Sequence, residues 1–240
     1  MKHSASVHGS LAVLGCFLAA ITSQAASTYT ISATANIYSA GLSVPVGPGG
    51  SGAGILPTLI TLSPGQNVFQ FSATGSVTEN YGNGVYHGPD GGLNGGLTVL
   101  AYGGLSGFIT GQNVPLAGVF LSGAAPFDPA PPTLDFTAGG LGLNFTTLAP
   151  QLGQVFFIGD GQTDGAITQT FYVPAGATRL FLGFPDAPFG SGLPGAFDDN
   201  AGSLDVTVMA VPEPASVFGL GALALVTVLH RRKQNRVNAK

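Results

Sequence analysis

Three carboxylates and an amide crowd one short stretch near the end of the chain. Asp186 closes the run Gly183-Phe184-Pro185-Asp186. The run Pro194-Gly195-Ala196-Phe197-Asp198-Asp199-Asn200-Ala201-Gly202-Ser203 then leads into Leu204-Asp205-Val206-Thr207-Val208. Carboxylates packed this closely repel one another unless a cation sits among them. Calcium suits the donor set: hard carboxylate and amide oxygens on a flexible loop, with backbone carbonyls free to join. The same residue types also serve turn geometry, so a solvated acidic turn is the alternative reading.

The rest of the sequence narrows the chemistry further. Of the seven basic residues, Lys2, Arg231, Arg232, Lys233, Arg236 and Lys240 lie in the terminal segments. Between residues 26 and 210 only Arg179 remains to offset ten acidic side chains. Such a surface repels nucleic acid, because phosphate binding needs Lys and Arg, and it suits a divalent cation. The single cysteine, Cys16, falls in the N-terminal apolar segment. A module from residue 26 onward therefore has no disulfide, thiolate metal site or cysteine nucleophile. His87 is the one histidine between the terminal segments, and a lone histidine makes neither a zinc site nor a catalytic triad. Asp160-Gly161-Gln162-Thr163-Asp164-Gly165 resembles half a calcium loop but lacks the later Glu, and reads as a turn. No Glu is expected in the cleft around Asp186, which argues against a glycosidase with paired carboxylates and so against an enzyme.

The elements that must position these residues read as strands. Charged residues make up 8% of the chain, and there are 38 glycines and 17 prolines. That composition favours short strands and turns over long helices. Hydrophobic residues at 45% supply a core, which argues against disorder. Runs rich in Val, Ile, Phe, Tyr and Thr occur at 29–33, 67–72, 116–122, 134–136, 155–158, 168–173, 179–184 and 203–208. Pro64-Gly65, Pro89-Asp90-Gly91, Asp160-Gly161, Pro174-Ala175-Gly176 and Pro194-Gly195 punctuate them. About eight strands joined this way predict an all-β fold, a jelly-roll-like β-sandwich over residues 26–210. The segment 91–140 is richer in glycine and more irregular.

The stretch from Thr170 to Val208 resembles the calcium-dependent galactophilic lectins of PA-IL (LecA) type. In that family an Asp at a strand end, a Pro-Gly-Thr-Tyr run and an Asn-Asn-Ser-Gly-Ser run hold one calcium ion, and the sugar's hydroxyls complete its coordination. The resemblance implies metal ligands at Asp186, Ala196 (through its carbonyl), Asp199 and Asn200, with a further carbonyl from the region of Glu79 to Tyr81. It also implies a ligand-binding set of Asp90, His87, Asp186, Asp199 and Asn200, because Gly88-Pro89-Asp90-Gly91 is similar to the family's earlier binding loop. The chain departs from the family in a longer interval between Asp186 and Pro194. Asp198 stands for a glycine, Asp199 stands for an asparagine, and His87 precedes the Gly-Pro loop instead of following it.

Both ends read as addressing segments. Lys2 is followed by an apolar run over 11–21 and then Ser23-Gln24-Ala25, the pattern of a signal peptide cleaved after Ala25. At the other end, Pro212-Glu213-Pro214 precedes the apolar stretch 215–229 and the basic cluster Arg231-Arg232-Lys233. That stretch of 15 residues is about 22 Å long as a helix, against a hydrocarbon core of about 30 Å. Basic residues behind it place the end of the tail in the cytoplasm. The three-part tail over 211–240 resembles the PEP-CTERM sorting signal. That resemblance implies handling by an exosortase-type membrane protease after export by the secretion machinery. It further implies transient anchoring in the inner membrane, then a place at the cell surface or in an extracellular matrix rich in exopolysaccharide. The sequence thus predicts a calcium-dependent carbohydrate-binding module that takes a saccharide or exopolysaccharide, with a structural surface or matrix protein as the alternative.

Overall fold

The structure, a computed structural model, describes residues 26–93 and 95–211. The expected signal segment with Ala25 and the sorting motif with Pro212, Glu213, Pro214, Arg231 and Arg232 lie outside the described residues, as does the apolar stretch 215–229. Among the described residues no helix is long and apolar enough to cross a membrane.

The fold is all-β. Thirteen strands form three sheets among the described residues, and the only helical pieces are three 3-10 turns. The first sheet runs β1 (Ser27–Ser32), β13 (Ala201–Ala210), β3 (Val68–Thr78), β10 (Thr170–Tyr172), β8 (Thr147–Leu148). The second runs β2 (Thr58–Thr61), β11 (Arg179–Gly183), β6 (Ala117–Leu121), β9 (Val155–Phe157) and is antiparallel throughout. The third is short: β12 (Ser191–Gly192), β4 (Leu97–Val99), β5 (Phe108–Thr110), β7 (Leu134–Asp135).

Period-two patterning explains the long strands. In β3, Phe69, Phe71 and Ala73 are buried, while Ser72, Thr74 and Ser76 face solvent. In β13, Leu204, Val206 and Val208 are buried and Asp205 is exposed. Alternation of this kind gives each strand one wet face and one core face. The central strand β6 is buried at every position, as expected of a strand covered on both sides. Gly118 belongs there because a Cβ would lie 2.7 Å from the Phe156 ring.

The core is an aromatic mesh. Phe69 of the first sheet meets Phe120 of the second at 6.4 Å between ring centroids, and Phe171 meets Phe156 at 5.6 Å. Phe136 then links Phe108 and Phe157 at 5.4 and 5.8 Å, tying in the third sheet. Offset and tilted pairs in this range add to the burial energy of each ring.

Each of the eight apolar runs read from the sequence overlaps a strand. The further five, β2, β4, β5, β8 and β12, span between two and four residues. Three of these short strands form most of the third sheet, so part of the glycine-rich segment is ordered by pairing that its composition does not reveal.

Candidate functional site

The register of β13 against β3 builds the site. Thr78 pairs with Ala201, so Glu79 continues beyond β3 where Asn200 and Asp199 precede β13. The Tyr81 N–H donates to the Asp199 carbonyl at 2.9 Å and locks the two loops together. Gly202 permits the approach, since a Cβ there would lie 2.3 Å from the Ser76 carbonyl oxygen. Asp186 arrives from the end of β11, and its own carbonyl accepts the Gly195 N–H at 3.1 Å. A third strap, around residues 49–51, holds the Pro194 loop from outside. The Gly49 N–H donates to Pro194, and the Ala196 and Asp198 N–H groups donate to Gly50 and Ser51.

Between these loops lies a cleft of about 670 Å³, a size typical of small-ligand sites. Glu79, Asp186, Asp198 and Asp199 line it, with Asn80, Asn83, Asn113, Ala196 and Phe189. No basic side chain does. Arg179 is engaged elsewhere: its guanidinium donates to the Ser122 and Ala124 carbonyls and sits over the Phe181 ring.

The electrostatics are uncompensated. Asp186 is 6% exposed. Its Oδ1 accepts the Ala187 N–H at 2.7 Å, while its Oδ2 is buried and has no hydrogen-bond partner. Burial pushes its pKa up to about 8. The Asn200 amide and the Ala187 N–H oppose that rise, and the charges of Asp199 and Glu79 add to it. Asp199 is also raised, first by burial and then by Asp198 and Glu79. Four carboxylate or amide oxygens in this one neighbourhood are buried without a partner: Glu79 Oε2, Asp186 Oδ2, Asp199 Oδ1 and Asn200 Oδ1. Buried polar atoms are ordinarily hydrogen-bonded, and these four oxygens are not.

Once Asp186 has lost its proton, all four are hard oxygen ligands that accept and do not donate, which fits a calcium ion. Among the described residues no three His, Cys, Asp or Glu side chains gather tightly around one point. A cation here would therefore lean on Asn200 and on backbone carbonyls, as calcium sites commonly do. Ala196 lines the cleft in the left-handed region, φ 68°, a conformation uncommon outside glycine and found at functional loops.

Asp186, Ala196, Asp199 and Asn200 thus come together. His87 stands beside them without lining the cleft. It pairs with Val77 through both backbone bonds, and its Nε2 lies 3.7 Å from Glu79 Oε2. Asp90 lies elsewhere, in a second cleft with Asp160 and Asp164, where its Oδ1 accepts the Asp160 N–H at 2.9 Å. Its pKa is raised, first by burial and then by those two charges, against the pull of that N–H.

Glu79 is the correction to the sequence reading, which placed no Glu in the cleft. The lectin resemblance offered a backbone carbonyl from Glu79 to Tyr81, but the β3–β13 register is what brings the Glu79 side chain itself to the cleft. Asn83, Asn113 and Phe189 were not singled out, because nothing local marks them. Comparison with protein-family models, with curated proteins and with solved structures finds no match for this chain.

Proposed function

We propose that this is an exported module that binds calcium and, through it, a saccharide. The observation that carries the reading is the set of four buried oxygens without a hydrogen-bond partner, on Asp186, Asp199, Asn200 and Glu79, the last facing His87 Nε2 at 3.7 Å, beside a solvent-connected cleft. Calcium bound there would supply open coordination positions at which adjacent hydroxyls of a saccharide replace water. Asp186 and Asp199 accept hydrogen bonds from those hydroxyls, and Asn200, its NH2 held by the Ala33 carbonyl at 3.3 Å, adds its amide oxygen. Glu79 orients Asn113, whose amide donates to Glu79 Oε1 at 3.0 Å. His87 acts through Glu79, and Asp90 serves the second cleft.

The three sheets are read as a jelly-roll-like β-sandwich carrying this site on its loops. The module functions by binding. The signal peptide and the PEP-CTERM-like tail deliver it to the cell surface or an exopolysaccharide matrix, with exosortase-type processing. The resemblance to the galactophilic lectins supports the same metal position.

Calorimetric titration of the purified chain with calcium tests this. Binding between micromolar and millimolar, about the range of sensor and extracellular calcium sites, is expected, and the Asp186→Ala, Asp199→Ala double variant should lose it. If calcium yields neither heat nor a rise in melting temperature, the reading fails. The alternative, a structural surface protein whose acidic loop is a turn, would then stand.

A further inference from the structure

The interval between Asp186 and Pro194 is tied down along its length. The Ala187 N–H is held by Asp186 Oδ1 at 2.7 Å. The Gly190 N–H closes a turn on the Ala187 carbonyl at 2.9 Å, and β12 pairs in parallel with β4 through Ser191–Thr98 and Gly192–Val99. The Leu100 N–H adds a bond to the Gly192 carbonyl at 2.8 Å. At the tip of this braced loop stands Phe189, with φ 57° and ψ 25° and 107% relative exposure. A bulky residue in the left-handed region is strained where glycine or asparagine would sit easily. A large apolar ring held fully in water by a fixed loop is also unfavourable. Both features need a reason.

Phe189 lines the same cleft as Glu79, Asp186 and Asp199. Three peptide units separate its Cα from that of Asp186, at most about 11 Å. The wall also carries Asn80 and Asn83. Their amide oxygens are taken by the Gly82 and Val85 N–H groups at 2.9 Å each, so their NH2 groups are not needed by the turns. One site therefore offers a flat aromatic face, a cluster of anionic oxygens and amide donors. A pyranose is complementary to all three. Its ring C–H bonds present a partly positive face that suits the negative face of an aromatic ring, and its edge carries adjacent hydroxyls. An anionic lipid surface would be repelled by the carboxylates of Glu79, Asp198 and Asp199.

We infer that Phe189 is the stacking platform of the saccharide site: it receives the apolar C–H face of a pyranose whose adjacent hydroxyls point to the oxygens of Asp186 and Asp199. The inference rests on the calcium-dependent reading above and adds the orientation of the sugar and the means of selecting it.

The chain has no tryptophan, so Phe189→Trp places a single indole at the rim of the cleft. Methyl pyranosides of the galacto, gluco, manno and fuco series are added to the full chain in calcium. At least one should shift the indole emission to the blue, and EDTA should reverse the shift. Phe189→Asn keeps the left-handed backbone at little cost. It should bind calcium as the parent does, yet bind that pyranoside about tenfold more weakly, the loss of one aromatic contact. Equal pyranoside affinity in Phe189→Asn overturns the platform. So does an indole emission unmoved by a pyranoside that calorimetry shows to bind, or a chain that takes calcium but no pyranoside. No calcium heat in the parent fells the underlying site reading, and the platform with it.

Discussion

Phe171 and Asp186 are buried to nearly the same degree, 0% and 6% exposed, in opposite surroundings. The Phe171 ring meets Phe71, Phe145 and Phe156 at centroid distances of 5.1, 5.9 and 5.6 Å, all of them apolar rings. Asp186 keeps one oxygen without a partner, with Asp199 and Glu79 near enough to raise its pKa. In the aromatic centre, burial is what holds the strands together. At the cleft, burial works against the charged state, and the loops stay in place because backbone bonds to Gly195, Tyr81 and the 49–51 strap fix them. The difference teaches that stability and the proposed binding are assigned to separate parts of one small fold.

The contrast is tested most severely in the core. Phe171→Ala should cost about 3–5 kcal/mol, the loss of a large ring plus the cavity it leaves, with calcium affinity unchanged in whatever fraction stays folded. Urea unfolding measures it, and a cost under about 1 kcal/mol would mean that the mesh is not the source of stability. Next in size is the pH response of the cation-free protein. Burial lets the folded Asp186 carboxyl hold its proton up to about pH 8, against an ordinary value of 3.8. Its contribution to stability is therefore complete below the unfolded pKa and lost as pH rises through the folded one. In EDTA the melting temperature should fall between about pH 4 and pH 8, Asp186→Asn should flatten that fall, and calcium should offset it. A melting temperature that climbs over the same interval would show Asp186 to be stabilised as a carboxylate. The smallest effect is expected at Asp90. Asp90→Asn should leave calcium affinity within about twofold, because Asp90 lines another cleft. A larger loss would join the two clefts into one site.

Much of this was legible in the sequence where a periodic pattern had room to repeat. The run at 67–72 shows its alternation, and the strand continues to Thr78. The run at 203–208 likewise extends to Ala201–Ala210. Strands of two or three residues such as β8 and β12 are too short for any period, and only their partners define them. The acidic loop from Pro194 to Asn200 was visible because its ligand types are adjacent in the chain. Glu79 was hidden because its neighbours are chosen by register, Thr78 opposite Ala201. Asp90 looked like a member of the site because Gly88-Pro89-Asp90-Gly91 is similar to the lectins' earlier binding loop. The chain turns back at His87 to pair with Val77 and carries Asp90 away toward Asp160.

The pairing of β1 with β13 has a mechanical consequence. Ser27 lies opposite Val208, and Ser32 opposite Ser203, so the chain enters and leaves the fold at the same pole. The acidic cleft begins at the other end of β13. Ten residues separate the two, about 33 Å of extended chain. If the polymer beyond residue 211 is tethered, β13 serves as a mast that holds the cleft clear of the surface. A load drawn between the two ends would open the β1–β13 seam one rung at a time from Ser27 inward, as a zipper opens, and the cleft would feel the pull last.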